Sequence, residues 1–343
     1  SVQAEDELAA VGMAIGANWN GARGFTATSG PGISLMSEFL GLAYFAEVPL
    51  VIFNIQRGGP STGMPTRTQQ SDILSCAYAS HGDTKHVLLF PEDPQECFEF
   101  SAEAFNLAER LQTPVFVISD LDIGMNDWVT DKFEWDDEQK YDRGKVLKAE
   151  DLDKMDNFGR YLDVDDDGIC YRTYPGTHPE KGAFFTRGTS HDEYARYTEN
   201  GDINEQTLTR LVKKFRTASE LVPDPIINLS EKQGSSGVIF YGSTSAAMYE
   251  AKDILNKNNI EIDLMRIRSF PFNLDVWEFI ENHDLIYVIE QNRDSQMRTL
   301  IMAEGGISAE KLRSLVWFNG DPIQAKFIAK KIYERESQQA LIT

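Results

Sequence analysis

Two short stretches of this chain carry the side chains that could hold a charged ligand. One is Ser29-Gly-Pro-Gly32; the other runs from Gln56 to Thr68 and reads QRGGPSTGMPTRT. Both are rich in Gly, Ser and Thr, and the second holds Arg57. A guanidinium offers a planar fork of donors that matches a carboxylate. Hydroxyls around it add neutral donors, so the chemistry suggested is capture of a small anion. Gly/Pro turns by themselves are more often plain surface loops; the density of hydroxyls about Arg57 is what favours a site. A third turn, Gly242-Ser-Thr-Ser245, either holds an anion at a helix start or serves as a cap.

These loops need a frame, and the hydrophobic pattern supplies one. The spacing predicts a strand over Gly24–Thr28, a turn over Ser29–Gly32, a helix over Ile33–Ala46 and a strand over Leu50–Ile55. That is a βαβ unit, and ligands of parallel sheets bind beyond the carboxyl ends of strands. Ahead of it, Leu8, Val11, Gly12, Ile15 and Trp19 recur at helical spacing, predicting a helix over Glu5–Asn20. Glu5, Asp6 and Glu7 fall in its first turn, where negative charge complements the helix dipole. Further strands (Val87–Phe90, Val115–Ser119) and helices (Ser71–Ala79, Pro94–Leu111) extend the alternation, predicting a parallel sheet covered on both faces. From Asp120 to about Glu231 the pattern gives way to acidic, irregular stretches with one basic helix, Glu205–Thr217. From Gly237 the alternation resumes and predicts a second, smaller parallel-sheet domain. Three regions are expected: 1–125, an irregular acidic connecting segment over 126–232, and 233–343.

Composition excludes several functions. A formal charge of −21 disfavours nucleic acid and acidic membrane surfaces, which require clustered Lys and Arg. No apolar run approaches the roughly 20 residues of a membrane helix, and no secretory signal opens the chain. Cys76, Cys97 and Cys170 are scattered, forming neither a disulfide framework nor a metal-binding spacing. A reduced, cytoplasmic setting is expected, with any metal cluster on a partner. Asp163-Val-Asp-Asp-Asp-Gly168 starts like a calcium loop, but its twelfth position is Tyr174 rather than Glu, so an exposed acidic turn is expected. His191, Asp192 and Glu193 are neighbours better suited to structural polar contacts than to one metal centre. No Gly-x-Gly-x-x-Gly turn supports a dinucleotide. The chain lacks an initiator Met and enters a helix almost at once, as a fragment of something longer would.

The runs GFTATSGPGISLM and NIQRGGPSTGMPT resemble the alpha subunit of 2-oxoacid:ferredoxin oxidoreductases, most closely the 2-oxoglutarate type. The resemblance covers the first 125 or so residues, the FFTRGTSHDEY loop and the C-terminal region. It implies an α/β fold: a pyrimidine-binding parallel-sheet domain for thiamine diphosphate, then a smaller transketolase C-terminal-like α/β domain. It places on Glu7, with Glu5 as second choice, the carboxylate that bonds the aminopyrimidine ring nitrogen, and on Ser29 and Gly30 further cofactor contacts. Arg57 takes the substrate carboxylate, and Thr66, nine residues on, stands on the substrate side. A Tyr-Pro-Ile-Thr-Pro turn that family members carry before the first helix is absent, which fits N-terminal truncation.

The implied reaction is oxidative decarboxylation of a 2-oxoacid to acyl-CoA and CO2, with electrons passed singly to ferredoxin. A carboxylate facing the pyrimidine favours the imino tautomer, whose neighbouring amine can take a proton from the thiazolium carbon. The chain has no Gly-Asp-Gly motif for the diphosphate and Mg2+, and no cysteine cluster for a 4Fe–4S centre. The resemblance assigns both to a beta subunit, with the active site at the interface; some members fuse a gamma domain ahead of the alpha part. A dicarboxylic substrate wants a second cation, for which Arg67 and Arg187 are candidates. The alternative is a non-catalytic α/β subunit that binds a small anion or serves as a scaffold.

Overall fold

The computed structural model describes residues 1–182, 188–230 and 236–340, with side chains to residue 337. Helix α1 (Glu7–Trp19) starts later than the charge pattern suggested. The reason is local: Asp6 is the cap, its carboxylate accepting from the Ala9 amide at 2.8 Å. Strand β1 (Phe25–Thr28) runs into α2 (Gly30–Phe45), so the Gly/Pro stretch is no separate turn. Gly30-Pro31-Gly32 is the first turn of α2, where the missing proline N–H would be unpaired anyway.

β2 (Leu50–Gln56), α3 (Ile73–Ala77), β3 (Val87–Leu89), α4 (Pro94–Leu111), β4 (Pro114–Asp120) and α5 (Leu121–Met125) follow. The middle of the chain contributes α6 (Ala149–Asp153), α7 (Gly201–Ala218) and β5 (Ile226–Asn228). The last third adds β6 (Ser236–Tyr241), α8 (Thr244–Lys257), β7 (Asp263–Ile267), β8 (Ser269–Phe270) and α9 (Leu274–Glu281). It ends with β9 (Leu285–Glu290), α10 (Gln296–Gly305), β10 (Leu312–Val316) and α11 (Ala325–Ala340).

Two sheets result, ordered β1-β2-β4-β3-β8 and β10-β9-β6-β7-β5. Each is parallel except at one edge, where the expectation of purely parallel sheets needs correction: β8 lies antiparallel on β3, and β5 antiparallel on β7. The first exception ties the two halves together. β8 follows β7 after the single residue Arg268, yet it pairs with the first sheet, Leu88 opposite Phe270. The two sheets have five strands each. One hydrophobic core runs through both, joining Leu88 and Phe116 to Met265, Phe270 and Val288. In the first sheet Thr28 stands opposite Asn54 and Gln56 opposite Asp120, so the strand ends that launch the ligand loops share one edge.

Buried charge secures the irregular middle. The fully buried Glu47 carboxylate accepts from Arg210 Nη1 at 3.1 Å and Lys214 Nζ at 2.8 Å, tying α7 to the end of α2. Glu109 of α4 pairs with Arg23 at 3.3 Å and Arg143 at 3.0 Å. The acidic turn is occupied by lysine: Lys145 Nζ lies 2.7 Å from Asp165 and 2.9 Å from Asp167. His191 is buried with Nδ1 3.0 Å from the Thr189 carbonyl, and Asp192 accepts from the Tyr194 and Arg196 amides at 2.9 Å. Among the described residues no group of His, Cys, Asp and Glu could hold a metal ion.

Candidate active site

A cleft of about 570 Å³ opens where the first sheet's strand ends meet the second half. Gly30, Pro31 and Ser34 of α2 form one wall, Arg57 and Met64 of the long loop another, and Asp72 the floor. The far wall comes from the second half: Asn292, Arg293, Gln296 and Phe318. The volume falls in the usual range for a small-molecule site. A hollow of about 550 Å³ on α7 is lined by Asp163, Glu193, Asp202 and Glu205 together with Arg210 and Lys213, whose charges are already paired with Glu47 and with Asp163 and Asp166.

Arg57 is half-buried, and its Nε is enclosed without a hydrogen-bond partner among the described residues. A buried guanidinium nitrogen left unpaired is costly unless a ligand supplies the acceptor. Asp72 lies beside it. Burial raises the Asp72 pKa, against the bond donated by Asn54 Nδ2 at 3.1 Å and the Arg57 charge. A side chain at Gly30 would run into that carboxylate, its Cβ only 2.8 Å from Oδ1. Ser29 caps α2 but spends no side-chain bond on doing so, leaving its hydroxyl available.

Glu7 meets α2 at Gly32 instead of lining the cleft. A Cβ on Gly32 would overlap the Thr28 hydroxyl and fall 2.8 Å from Glu7 Cγ, so only glycine lets the two helix starts approach. The Glu7 side chain is half-buried and has no hydrogen bond or ion pair among the described residues; Glu5 is exposed. Thr66 is also exposed and does not line the cleft. Thus the fold brings Gly30 and Arg57 to one cleft, puts Ser29 and Glu7 against the adjoining helix turn, and leaves Thr66 facing solvent.

Ser243 of the Gly242–Ser245 turn stands at the N-cap of α8, but its hydroxyl is spent elsewhere. Ser243 Oγ donates to Asp120 Oδ2 at 2.6 Å and makes no capping bond. Gln291 Nε2 donates to Ser243 Oγ at 2.9 Å, and Gln70 Nε2 reaches Asp120 at 3.4 Å. Burial raises the Asp120 pKa despite the Ser243 bond. These groups form a closed polar web between the two halves. The long loop is clamped in turn, the Thr68 amide donating to the Gly320 carbonyl at 3.1 Å.

Sequence reasoning missed Asp72, Asn292 and Arg293. Asp72 had a weak signal, a carboxylate 15 positions beyond Arg57 in the same connection. The other two had none, since they come from 220 or more residues away.

Residues 1–217 match the family described as pyruvate flavodoxin/ferredoxin oxidoreductase, thiamine diphosphate-binding. The chain is 33% identical to 2-oxoacid:ferredoxin oxidoreductase 2, subunit alpha, of Aeropyrum pernix, over 100% of this chain and 53% of that protein. It is 35% identical to 2-oxoglutarate synthase subunit KorA of Methanothermobacter thermautotrophicus, over 85% of this chain and 75% of that one. Among solved structures it is similar to the 2-oxoglutarate:ferredoxin oxidoreductase from Magnetococcus marinus with 2-oxoglutarate, coenzyme A and succinyl-CoA bound. That match has a TM-score of 0.87 at 28% identity, over 97% of this chain and 56% of the other. The chain therefore spans about half the length of several relatives it matches. The resemblance carried by the two loops holds across the fold, and the chain belongs to the 2-oxoacid:ferredoxin oxidoreductase alpha-subunit family, whose members are oxidoreductase subunits.

Proposed function

We propose that this chain is the pyrimidine- and substrate-binding part of a thiamine diphosphate-dependent 2-oxoacid:ferredoxin oxidoreductase. The assembled enzyme would convert a 2-oxoacid, 2-oxoglutarate foremost, to acyl-CoA and CO2, passing electrons to ferredoxin. The observation that carries this reading is the enclosed, unpartnered Arg57 Nε in a cleft shared with Gly30. The cofactor supplies the electron sink when bound. The chain's residues fit its pyrimidine end: a Glu7 carboxylate with no partner among the described residues for the ring nitrogen, a Ser29 hydroxyl that makes no capping bond, and glycines that admit close contact. Glu7 holds a proton at that ring nitrogen. Arg57 orients the substrate carboxylate, and Thr66 adds a hydroxyl once a partner covers the cleft.

The diphosphate half, Mg2+ and the 4Fe–4S cluster are assigned to a beta subunit in a cytoplasmic complex, with a gamma domain or subunit as a further partner. Residues 1–125 form the pyrimidine-binding unit, 126–232 the connecting segment and 233–343 the transketolase C-terminal-like unit. Co-purification with the partner subunit, thiamine quantitation and dye reduction over a panel of 2-oxoacids test this directly. Bound cofactor with coenzyme A-dependent reduction on one acid is expected. A stable complex with neither would leave a scaffold role.

A further inference from the structure

An acid with two carboxylates needs a second cation, and the two arginines suggested by sequence do not supply it. Arg67 is exposed, lies outside the cleft wall, and bonds Asp321 at 3.3 Å. Arg187 lies outside the described residues. The other guanidinium in the cleft wall is Arg293, on the turn between β9 and α10.

That turn is fastened to the loop that follows Arg57. Asn292 Nδ2 donates to the Gln70 carbonyl at 2.9 Å, and Gln296 Nε2 donates to the Ser71 carbonyl at 2.6 Å. The Leu74 amide donates to Gln296 Oε1 at 3.1 Å, and the Gln296 amide closes the turn on Asn292 Oδ1 at 3.1 Å. Pinned on both flanks, the turn gives the Arg293 side chain a fixed root on the cleft wall, which discrimination between ligands of different length requires. Its ion-pair partner among the described residues is the adjacent Asp294, at 2.8 Å, with side chains 72% and 63% exposed. So exposed a pair is weakly held.

We propose that Arg293 is the specificity-determining contact for the second, distal carboxylate of the substrate, opposite Arg57 on the 2-oxo carboxylate. The proposal rests on the 2-oxoacid reading of this cleft. An acid with an uncharged tail leaves the Arg293–Asp294 pair in place; a dicarboxylate takes over the guanidinium.

The assembled enzyme is compared as wild type, R293A and R293K, with 2-oxoglutarate and pyruvate as substrates and coenzyme A varied separately. Melting temperatures verify that the variants fold. The ratio of kcat/KM for 2-oxoglutarate over pyruvate is expected to fall about tenfold or more in R293A, through KM, with partial recovery in R293K. An unchanged ratio overturns the proposal. So does an effect confined to the KM for coenzyme A, which would assign Arg293 to a phosphate of that molecule. Titration of 2-oxoglutarate into the same complexes without coenzyme A reads binding apart from turnover. Weaker binding to R293A supports the contact, while equal affinity, or none in wild type, overturns it. A wild-type complex that binds 2-oxoglutarate but turns over no 2-oxoacid defeats the proposed activity, and the titration then decides Arg293 by itself.

Discussion

At the scale of single residues, Arg57 and Glu7 make opposite demands. Arg57 is a cation whose enclosed Nε has no hydrogen-bond partner among the described residues, so removing it takes binding energy from any carboxylate in the cleft. In the assembled enzyme Arg57→Ala should lower kcat/KM about 100-fold, roughly 2.7 kcal/mol, mostly through KM. Unchanged steady-state kinetics would exclude Arg57 from substrate binding. Glu7 is half-buried at a helix start with no hydrogen bond or ion pair among the described residues, so Glu7→Gln should leave the melting temperature within about 1 °C while turnover disappears. Retained turnover would pass the role to Glu5 or end it. Both residues were legible in the sequence, one as an Arg among hydroxyls and the other through family resemblance. Their surroundings were not, because Gly32 matters only when Thr28 and Glu7 are folded against it.

At the scale of elements, the ion cluster under α7 decides whether the irregular middle stays attached. Burial alone would raise the Glu47 pKa, but Arg210 and Lys214 outweigh it and hold the carboxyl well below its ordinary 4.5. Burial, foremost, pulls Lys214 below its usual value in spite of Glu47. A depressed carboxyl pKa means stability that is in force above the unfolded value and lost as pH falls toward the folded one. Glu47→Gln should therefore cost about 3–5 kcal/mol at neutral pH, since it strands Arg210 and Lys214 in the interior. Denaturant melts between pH 7 and 3 should show the wild-type advantage shrinking below pH 4.5. A constant difference over that range would mean that Glu47 acts by packing alone. Helix α7 was readable from its amphipathic pattern; its anchor was not, because Glu47 and Arg210 are 163 positions apart.

For the whole molecule, the two sheets are one mechanical body. Strand β8 leaves the second sheet to pair with β3, the Asp120–Ser243–Gln291–Gln70 web is buried between them, and a single hydrophobic core crosses the boundary. Calorimetry of the chain should record one cooperative transition instead of two. Gln291→Leu should lower its midpoint, as it leaves Ser243 without its donor and the Ile323 amide without its acceptor, a loss of about 2 kcal/mol. Two separated transitions would show that the halves unfold independently.

The sequence alone determined the α/β class, the order of the main strands and helices, and the family. These follow from hydrophobic periodicity, turn composition and contiguous motifs, all of which are local. Only the tertiary structure decided the antiparallel edges, the burial of Ser243 against Asp120, and the cleft wall from Asn292 to Gln296. Those depend on contacts between residues distant in the chain, 36 to 40 positions for β5 on β7 and more than 100 for the others, and no local pattern encodes which polar groups will be sealed from water together.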